Sequence, residues 1–163
     1  MAQQPTQPRI GVSARLLGNP VRFDGGHKRS PFVHSVLGRF AELVPVCPEV
    51  ESGVPVPRES LRLVDRGDGV ALLGNRSRAD RFEQLRAWAR ARVEDLARLD
   101  LDGFILKKDS PSCGLERVRV YRAEGEGPPA RIGTGLFAAL LRRLSRQRYF
   151  EPYPRALGAE TGA

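Results

Sequence analysis

The sequence predicts a single-domain α/β protein, a Rossmann-like three-layer sandwich in which helices cover both faces of a mainly parallel sheet. Three observations support this fold class. Short apolar runs at 9–13, 43–47 and 103–107 each lead into a turn, as buried strands do. A helical pattern separates the first two runs, and a long amphipathic pattern precedes the third. Strands joined through helices are usually parallel neighbours.

The length of 163 residues corresponds to about one domain. Residues 1–8 are polar and contain proline, and we expect them to form a disordered leader. The α/β domain is predicted over 9–147 and a divergent carboxyl-terminal tail over 148–163. The sequence contains neither the apolar stretch of a membrane span nor the charged and apolar regions of a signal peptide, so we expect a cytoplasmic protein.

The first half of the chain contains one strand-helix-strand unit. A strand is expected at 9–13, and a glycine-bearing loop follows it. Ser30 and Pro31 then form a good helix start, and apolar residues recur at helical spacing from 32 to 43. That helix leads to the second strand at 43–47. Residues 48–60 are rich in proline and are expected to be irregular.

The middle of the chain predicts a hairpin and a long helix. The segments 61–64 and 70–73 flank a polar turn with two glycines, which is typical of a hairpin. We expect Ser77 to cap a helix over 78–99. The buried stripe of that helix is predicted to be Phe82, Leu85, Ala89, Val93 and Leu96.

The last third of the domain begins with the third core strand, which opens at Gly103. Alternation of apolar and polar residues at 118–121 predicts a short strand. Residues 122–133 read as a loop, and 134–147 as the final helix. The sequence therefore predicts a domain that ends in a helix packed on the sheet.

The composition is basic, with 27 Lys and Arg against 19 Asp and Glu and a net charge of +8. The positive electrostatic potential that this charge produces favours anionic partners, and nucleic acid is one of them. However, the cations are scattered along the chain, and few aromatic residues remain to stack on bases. An arginine-rich solvated surface is therefore the simpler interpretation.

The two cysteines are the most informative residues, because both lie in proline-bearing turns just after apolar runs. Cys47 lies in Val-Pro-Val-Cys-Pro-Glu and Cys113 in Ser-Pro-Ser-Cys-Gly. The ends of parallel strands converge on one crevice, where ligands bind, so two distant thiols could meet there. Thiols in this context are more typical of structural or metal-binding roles than of a disulfide scaffold. At the comparable position after the first run stands Arg15.

Several motifs in series carry a family resemblance. They are Ser-Ala-Arg-Leu-Leu-Gly (13–18), Pro-Val-Arg-Phe-Asp-Gly-Gly-His-Lys-Arg (20–29), Val-Pro-Val-Cys-Pro-Glu-Val-Glu (44–51), Val-Pro-Arg-Glu (56–59) and Leu-Lys-Lys-Asp-Ser-Pro-Ser-Cys-Gly-Leu-Glu-Arg-Val-Arg-Val-Tyr (106–121). With these motifs the chain resembles the thiouracil desulfidase family, long described as a bacterial domain of unknown function. The resemblance covers residues from about 9 to about 141.

The resemblance implies an enzyme that removes sulfur from a thiolated pyrimidine such as thiouracil, without net redox chemistry. In that family three cysteines hold a [4Fe-4S] cluster, and its open iron takes the thiocarbonyl sulfur. Carried over by position, Cys47 and Cys113 fall on two of the ligands and Arg15 on the third. A guanidinium offers only donors, whereas cluster iron is held by thiolates. The resemblance therefore predicts a cluster-deficient relative and leaves its enzymatic activity open.

The resemblance also implies roles for the polar residues of these motifs. The catalytic positions fall on Glu49, a candidate for proton transfer or for orienting water, and on Ser110, which would contact the substrate. The substrate-binding positions fall on Ser13, Asp24 and Ser112, and Arg15 is added to them as a cation that could hold an anionic ligand. From the fragments alone, a buried structural cysteine, turn serines and a loop-ordering aspartate remain the simpler interpretations.

Three interpretations of Arg15 stay open. A cluster could be held by Cys47, Cys113 and an unusual ligand, namely Asp24, Glu49 or His27. Alternatively, the chain is a non-catalytic relative whose crevice binds an anion or a nucleotide, with the Arg15 guanidinium taking the place of the lost site. In the third interpretation the arginine is a damaging change and the fold survives without the activity. A thiolated pyrimidine or another anionic small molecule is the expected ligand.

Overall fold

Two β-sheets form the framework of the part of the protein that the structure describes. The computed structural model describes residues 6–19, 29–123 and 127–144. In these residues the first sheet has the order β2-β1-β5 and is entirely parallel. Its strands are β1 (Arg9–Ser13), β2 (Glu42–Val46) and β5 (Gly103–Ile105). Gly11 of β1 lies opposite Val44 and Phe104, and a side chain there would collide with the Phe104 ring. The three predicted core strands are thus parallel neighbours.

The second sheet is mixed and has the order β4-β3-β6-β7. Its strands are β3 (Leu61–Asp65), β4 (Val70–Gly74), β6 (Val118–Arg122) and β7 (Ala130–Gly133). The β3-β4 hairpin is antiparallel as predicted, β3 and β6 are parallel, and β6 and β7 are antiparallel. The protein therefore has an α/β fold whose strands divide between two sheets. A Rossmann-like three-layer arrangement stays a prediction.

The helices place the main core between α2 and the parallel sheet. They are α1 (Pro48–Glu51), α2 (Phe82–Arg98) and α3 (Leu136–Leu144). The α2 stripe is buried as predicted at Leu85, Ala89, Val93 and Leu96, whereas Phe82 is partly exposed. The Phe137 ring of α3 lies 5.6 Å from the Trp88 ring and 5.7 Å from the Phe104 ring, between centroids. These aromatic contacts join both helices to β5.

The start of α2 differs from the prediction, because Ser77 does not cap it. The Ser77 hydroxyl donates to the Glu59 carboxylate, and its oxygen accepts the Ala79 N–H at 3.1 Å. The chain then turns through Arg78, whose φ of 59° is left-handed, and α2 begins at Phe82. Asp80 accepts the Phe82 N–H at 2.9 Å. A competing acceptor, Glu59 just before the hairpin, thus delays the helix by about one turn.

The helix expected from Pro31 is short and irregular. A π-helical turn covers Phe32–Val36 and a 3₁₀ turn covers Leu37–Arg39. Only Val33 is buried in these two turns, and Phe40 directly after them is 66% exposed. The apolar residues at helical spacing in this segment therefore do not form a continuous buried face.

Two further predictions require correction. The sequence predicts that the third core strand ends at Lys107 or Lys108, but it ends at Ile105, because the Lys107 N–H donates to the Ser13 hydroxyl at 2.9 Å instead. The predicted loop 122–133 contains strand β7, which pairs with β6. In addition, the proline-rich segment 48–60 begins with the helical turn α1.

Some predictions lie outside the described residues. Asp24 and His27, the leader residues 1–5 and the tail 148–163 all belong to this group. The predicted domain boundaries stay predictions. Among the helices that the structure describes, none combines the length and the apolarity needed to cross a lipid bilayer.

Candidate functional site

The ends of the parallel strands enclose a small cavity of ≈10 Å³. Ser13 ends β1, Cys47 follows β2, and Cys113 lies in the loop after β5. All three residues line this cavity, together with Arg15, Glu49 and others from the same strand ends. Thiols that are far apart in the sequence therefore share one space, which has room for about one water molecule.

Both thiols are buried and free of a disulfide bond. Burial raises the pKa of the Cys47 thiol, although the backbone near Val50 and the cations Arg15 and Arg58 oppose this shift. Burial also raises the pKa of Cys113 to about 12, against a hydrogen bond from the Ser13 side chain. Both cysteines therefore stay protonated at neutral pH and are poor nucleophiles in this state.

Glu49 lies in α1 and is the centre of a buried charged cluster. Its Oε2 accepts from Nε of Arg58 at 3.0 Å and also from a second guanidinium nitrogen of Arg58. Its Oε1 accepts from Nη2 of Arg15 at 3.2 Å and from the Ser112 hydroxyl at 2.9 Å. The Glu49 side chain is 4% exposed, and that of Arg58 is 3% exposed. The carboxylate is thus fully engaged by two cations and a hydroxyl.

The Ser-Pro-Ser-Cys turn is ordered by its first serine. The Ser110 hydroxyl accepts the N–H groups of Ser112 at 3.2 Å and Cys113 at 3.0 Å. The Phe137 N–H at the start of α3 donates to the Ser112 carbonyl at 3.0 Å. Ser110 therefore has the turn-forming role that serines often have. It also lines the small cavity and the larger pocket next to it.

The larger pocket has a volume of ≈490 Å³ and is lined by residues that follow the first sheet and by residues of the second sheet. Arg15, Lys107 and Lys108 line one part of it, and Arg62 and Tyr121 another. The Arg62 guanidinium carbon lies 5.0 Å from the centre of the Tyr121 ring. Within the described residues, Nε of Arg62 is buried and has no hydrogen-bond partner. The pocket is thus rich in cations and contains one unsatisfied donor.

Arg62 and Tyr121 were not among the residues predicted from the sequence for this site. The alternation Leu61-Arg62-Leu63 does place Arg62 on the face opposite Leu63. The pairing of Val64 with Tyr121 across β3 and β6, which brings the arginine and the ring together, has no local signal. Of the predicted site residues, all except Ser112 and Asp24 line one or both cavities. Ser112 is buried and donates to Glu49, and Asp24 is outside the described residues.

The described side chains do not fit a cluster held by three thiolates. The sequence has two cysteines, and Arg15 has no lone pair to give to iron. In the part of the chain that the structure covers, no group of three or more His, Cys, Asp or Glu could hold a metal ion. The thiol cavity of ≈10 Å³ is also far smaller than a cubane of irons and sulfides.

Comparison with known proteins gives a consistent family assignment. The family model described as 2-thiouracil desulfurase matches residues 10–151. An uncharacterized protein of Bacillus subtilis, YbbK, is 29% identical over 139 residues, which cover 82% of this chain and 89% of YbbK. The solved structure of the [4Fe-4S]-dependent thiouracil desulfidase TudS is 33% identical with a TM-score of 0.69, and the match covers 88% of this chain and 91% of TudS.

Proposed function

Because the chain belongs to the 2-thiouracil desulfurase family, we propose that it is a cluster-deficient relative whose pocket binds a thiolated pyrimidine or a related anionic nucleotide. TudS, which shares the fold, is a [4Fe-4S]-dependent thiouracil desulfidase. The likeness in fold and family supports a ligand of the same class for this chain. The side chains at the strand ends, with Arg15 at the position of the third cysteine, support the loss of the cluster-dependent reaction.

The ion pair between Arg15 and Glu49 carries the proposal. By resemblance, Arg15 stands where the family has its third cysteine. Its guanidinium binds Glu49 at 3.2 Å and lines both the thiol cavity and the larger pocket. This arrangement puts a permanent cation where a cluster would need a thiolate. It also ties up the carboxylate that the resemblance assigns to proton transfer.

The larger pocket supports the choice of an anionic ligand. Arg62 and Tyr121 offer a guanidinium and an aromatic face at one wall, and Arg15 and Lys107 add positive charge at another. A pyrimidine can stack on an aromatic ring, and an anion can bind to the Arg62 guanidinium that lines the pocket. The volume of ≈490 Å³ is within the range of small-molecule sites.

Anaerobic reconstitution with iron and sulfide tests the loss of the cluster. We expect the unaltered protein to show little of the broad brown absorbance of an iron-sulfur cluster, and Arg15→Cys to gain it, because three thiolates then surround one space. Arg15→Ser is the matched control, since it removes the guanidinium without adding a thiol. A stoichiometric [4Fe-4S] cluster in the unaltered protein would refute this half of the proposal.

Calorimetric titration with 2-thiouracil and with its nucleoside monophosphate, each at two salt concentrations, tests the ligand. Arg62→Ala should weaken binding by about tenfold, because one charge-assisted hydrogen bond is worth roughly that much. Arg98→Ala on the exposed side of α2 is the control, and its binding should be unchanged. If neither compound binds, or if both variants bind like the unaltered protein, the pocket is not the ligand site.

A further inference from the structure

We propose that Cys47 and Cys113 together bind one soft monovalent metal ion, Cu(I), between their two sulfur atoms. This site does not depend on the proposed ligand of the larger pocket. It consists of the two cysteines that are present, whereas a cluster would need three. Both thiols are free and buried, and both line the same cavity.

The first support is the position of the two cysteines in the fold. Cys47 follows β2 and precedes the turn α1, while Cys113 is fixed in a loop whose backbone is bonded to α3. Both residues line the same small cavity. The fold thus already holds the two cysteines at one cavity, so metal binding should cost little conformational entropy.

The second support is the number and the type of donors. Structural zinc needs four ligands, and the described residues contain no set of even three that could hold a metal. Soft Cu(I) is selected by thiolates and needs no more than two of them in a linear arrangement. The cavity of ≈10 Å³ suits one atom rather than a cluster.

The third support is the charge around the cavity. Cu(I) held by two thiolates carries one net negative charge. Arg15 and Arg58 bring two positive charges against the single negative charge of Glu49. The Lys107 ammonium, on a residue that also lines the cavity, adds another positive charge and donates to the Lys108 carbonyl at 2.8 Å. The positive surroundings therefore favour an anionic complex, and burial shields it from oxygen and from bulky chelators.

The binding step involves no electron transfer. Each S–H bond gives up its proton to the solvent, two S–Cu bonds form, and copper stays in the +1 state. Neither Glu49 nor Arg15 needs to move a proton or contact the ion. The site therefore predicts the release of two protons for each Cu(I) that binds.

Transfer of Cu(I) from bathocuproine disulfonate to the purified, reduced protein under anaerobic conditions tests the site. We expect one Cu(I) per chain, and Cys47→Ser and Cys113→Ser should each weaken binding by about 100-fold or more, because a single thiolate remains. X-ray absorption of the loaded unaltered protein should show two sulfur neighbours and no nitrogen or oxygen in contact with copper. This second measurement does not require that either variant folds.

His27→Ala and His34→Ala are the matched controls, because imidazole is the other common copper ligand of this chain. Both variants should take up Cu(I) as the unaltered protein does. The proposal is overturned if the folded protein takes up no Cu(I), if either serine variant still binds it equally well, or if nitrogen or oxygen contacts the ion. Uptake of Zn(II) with equal affinity would also contradict a site with two ligands.

Discussion

Glu49 shows most clearly how single residues decide what this site can do. A buried carboxylate is costly unless cations and hydrogen bonds compensate for its lost hydration. Arg58 supplies most of this compensation from a side chain that is 3% exposed, whereas the Arg15 side chain is 19% exposed. The two guanidinium groups are therefore not equivalent. Arg58 holds the carboxylate in place, and Arg15 adds a cation at the border between the two cavities.

This difference predicts unequal effects on stability. Arg58→Ala should lower the free energy of unfolding by about 3–5 kcal/mol, because it leaves a buried carboxylate short of its main partner. Arg15→Ala should cost less, about 1–2 kcal/mol, because Arg58 and Ser112 still bind Glu49. Urea unfolding at neutral pH measures both values.

The exposed pair between Arg98 and Asp95 provides the comparison for this prediction. Its removal by Arg98→Ala should change the free energy of unfolding by less than about 1 kcal/mol. Equal midpoints of urea unfolding for Arg58→Ala and Arg98→Ala would show that Glu49 does not depend on Arg58.

The residues of the site could be predicted from the sequence better than their contacts. Cys47 and Glu49 lie in a recognisable motif directly after β2, and Cys113 lies in another in the loop after β5. Their shared cavity follows from the parallel order of β1, β2 and β5. The double engagement of Glu49 and the stacking of Arg62 on Tyr121 depend on side-chain directions across distant segments. No local pattern in the sequence encodes those directions.

At the scale of elements, the loop 110–114 and the start of α3 form one backbone-bonded unit. The Gly135 N–H donates to the Gly114 carbonyl at 2.7 Å, and the N–H groups of Phe137 and Ala138 donate to the Ser112 carbonyl. A Cβ at Gly135 would lie 2.5 Å from the carbonyl carbon of Ser112 and 2.8 Å from the Cys113 nitrogen. The helix can therefore approach the cysteine loop this closely only with glycine at that position.

Gly135→Ala is expected to push the cysteine loop away from α3. The free energy of unfolding should fall by about 1–3 kcal/mol, because backbone cannot yield as a flexible side chain can. Cys113 should also react faster with a thiol reagent in the folded protein, which peptide mass spectrometry can measure separately from Cys47. Gly69→Ala is the control, since a Cβ at Gly69 would meet no atom within 4 Å. Equal Cys113 labelling rates in the two variants would contradict this coupling.

The secondary structure was partly predictable for related physical reasons. Strand β1, the β3-β4 hairpin and the buried stripe of α2 follow from strong local patterns. Strand β7 was not predicted, because Ala130–Gly133 is only four residues long, mostly exposed, and follows a segment rich in glycine and proline. The start of α2 was misplaced, because Glu59 binds Ser77 from a distant part of the chain. Those hydrogen bonds also lower the pKa of Glu59 to about 2.

At the scale of the whole molecule, the buried thiols make stability depend on alkaline pH. Cys113 has a pKa of about 12 in the folded protein against 9.0 for an ordinary thiol. Below pH 9 both the folded and the unfolded chain keep this proton. Above pH 9 the unfolded chain loses it first and binds fewer protons than the folded chain, so the free energy of unfolding falls as pH rises towards 12. The stabilising effect is therefore complete at neutral pH and is lost in alkali.

This linkage gives a prediction that isolates one group from the other residues that titrate in alkali. Between pH 9 and 11 the unaltered protein should lose stability faster than Cys113→Ala, by up to about 1.4 kcal/mol per pH unit, because the variant lacks the thiol. Urea unfolding under reducing conditions at several pH values measures both slopes. Cys113→Ala will be less stable at neutral pH because it leaves a cavity, so the slopes and not the absolute values are compared. Parallel slopes would mean that Cys113 ionises in the folded protein as it does in the unfolded chain, and that the thiol cavity is open to water.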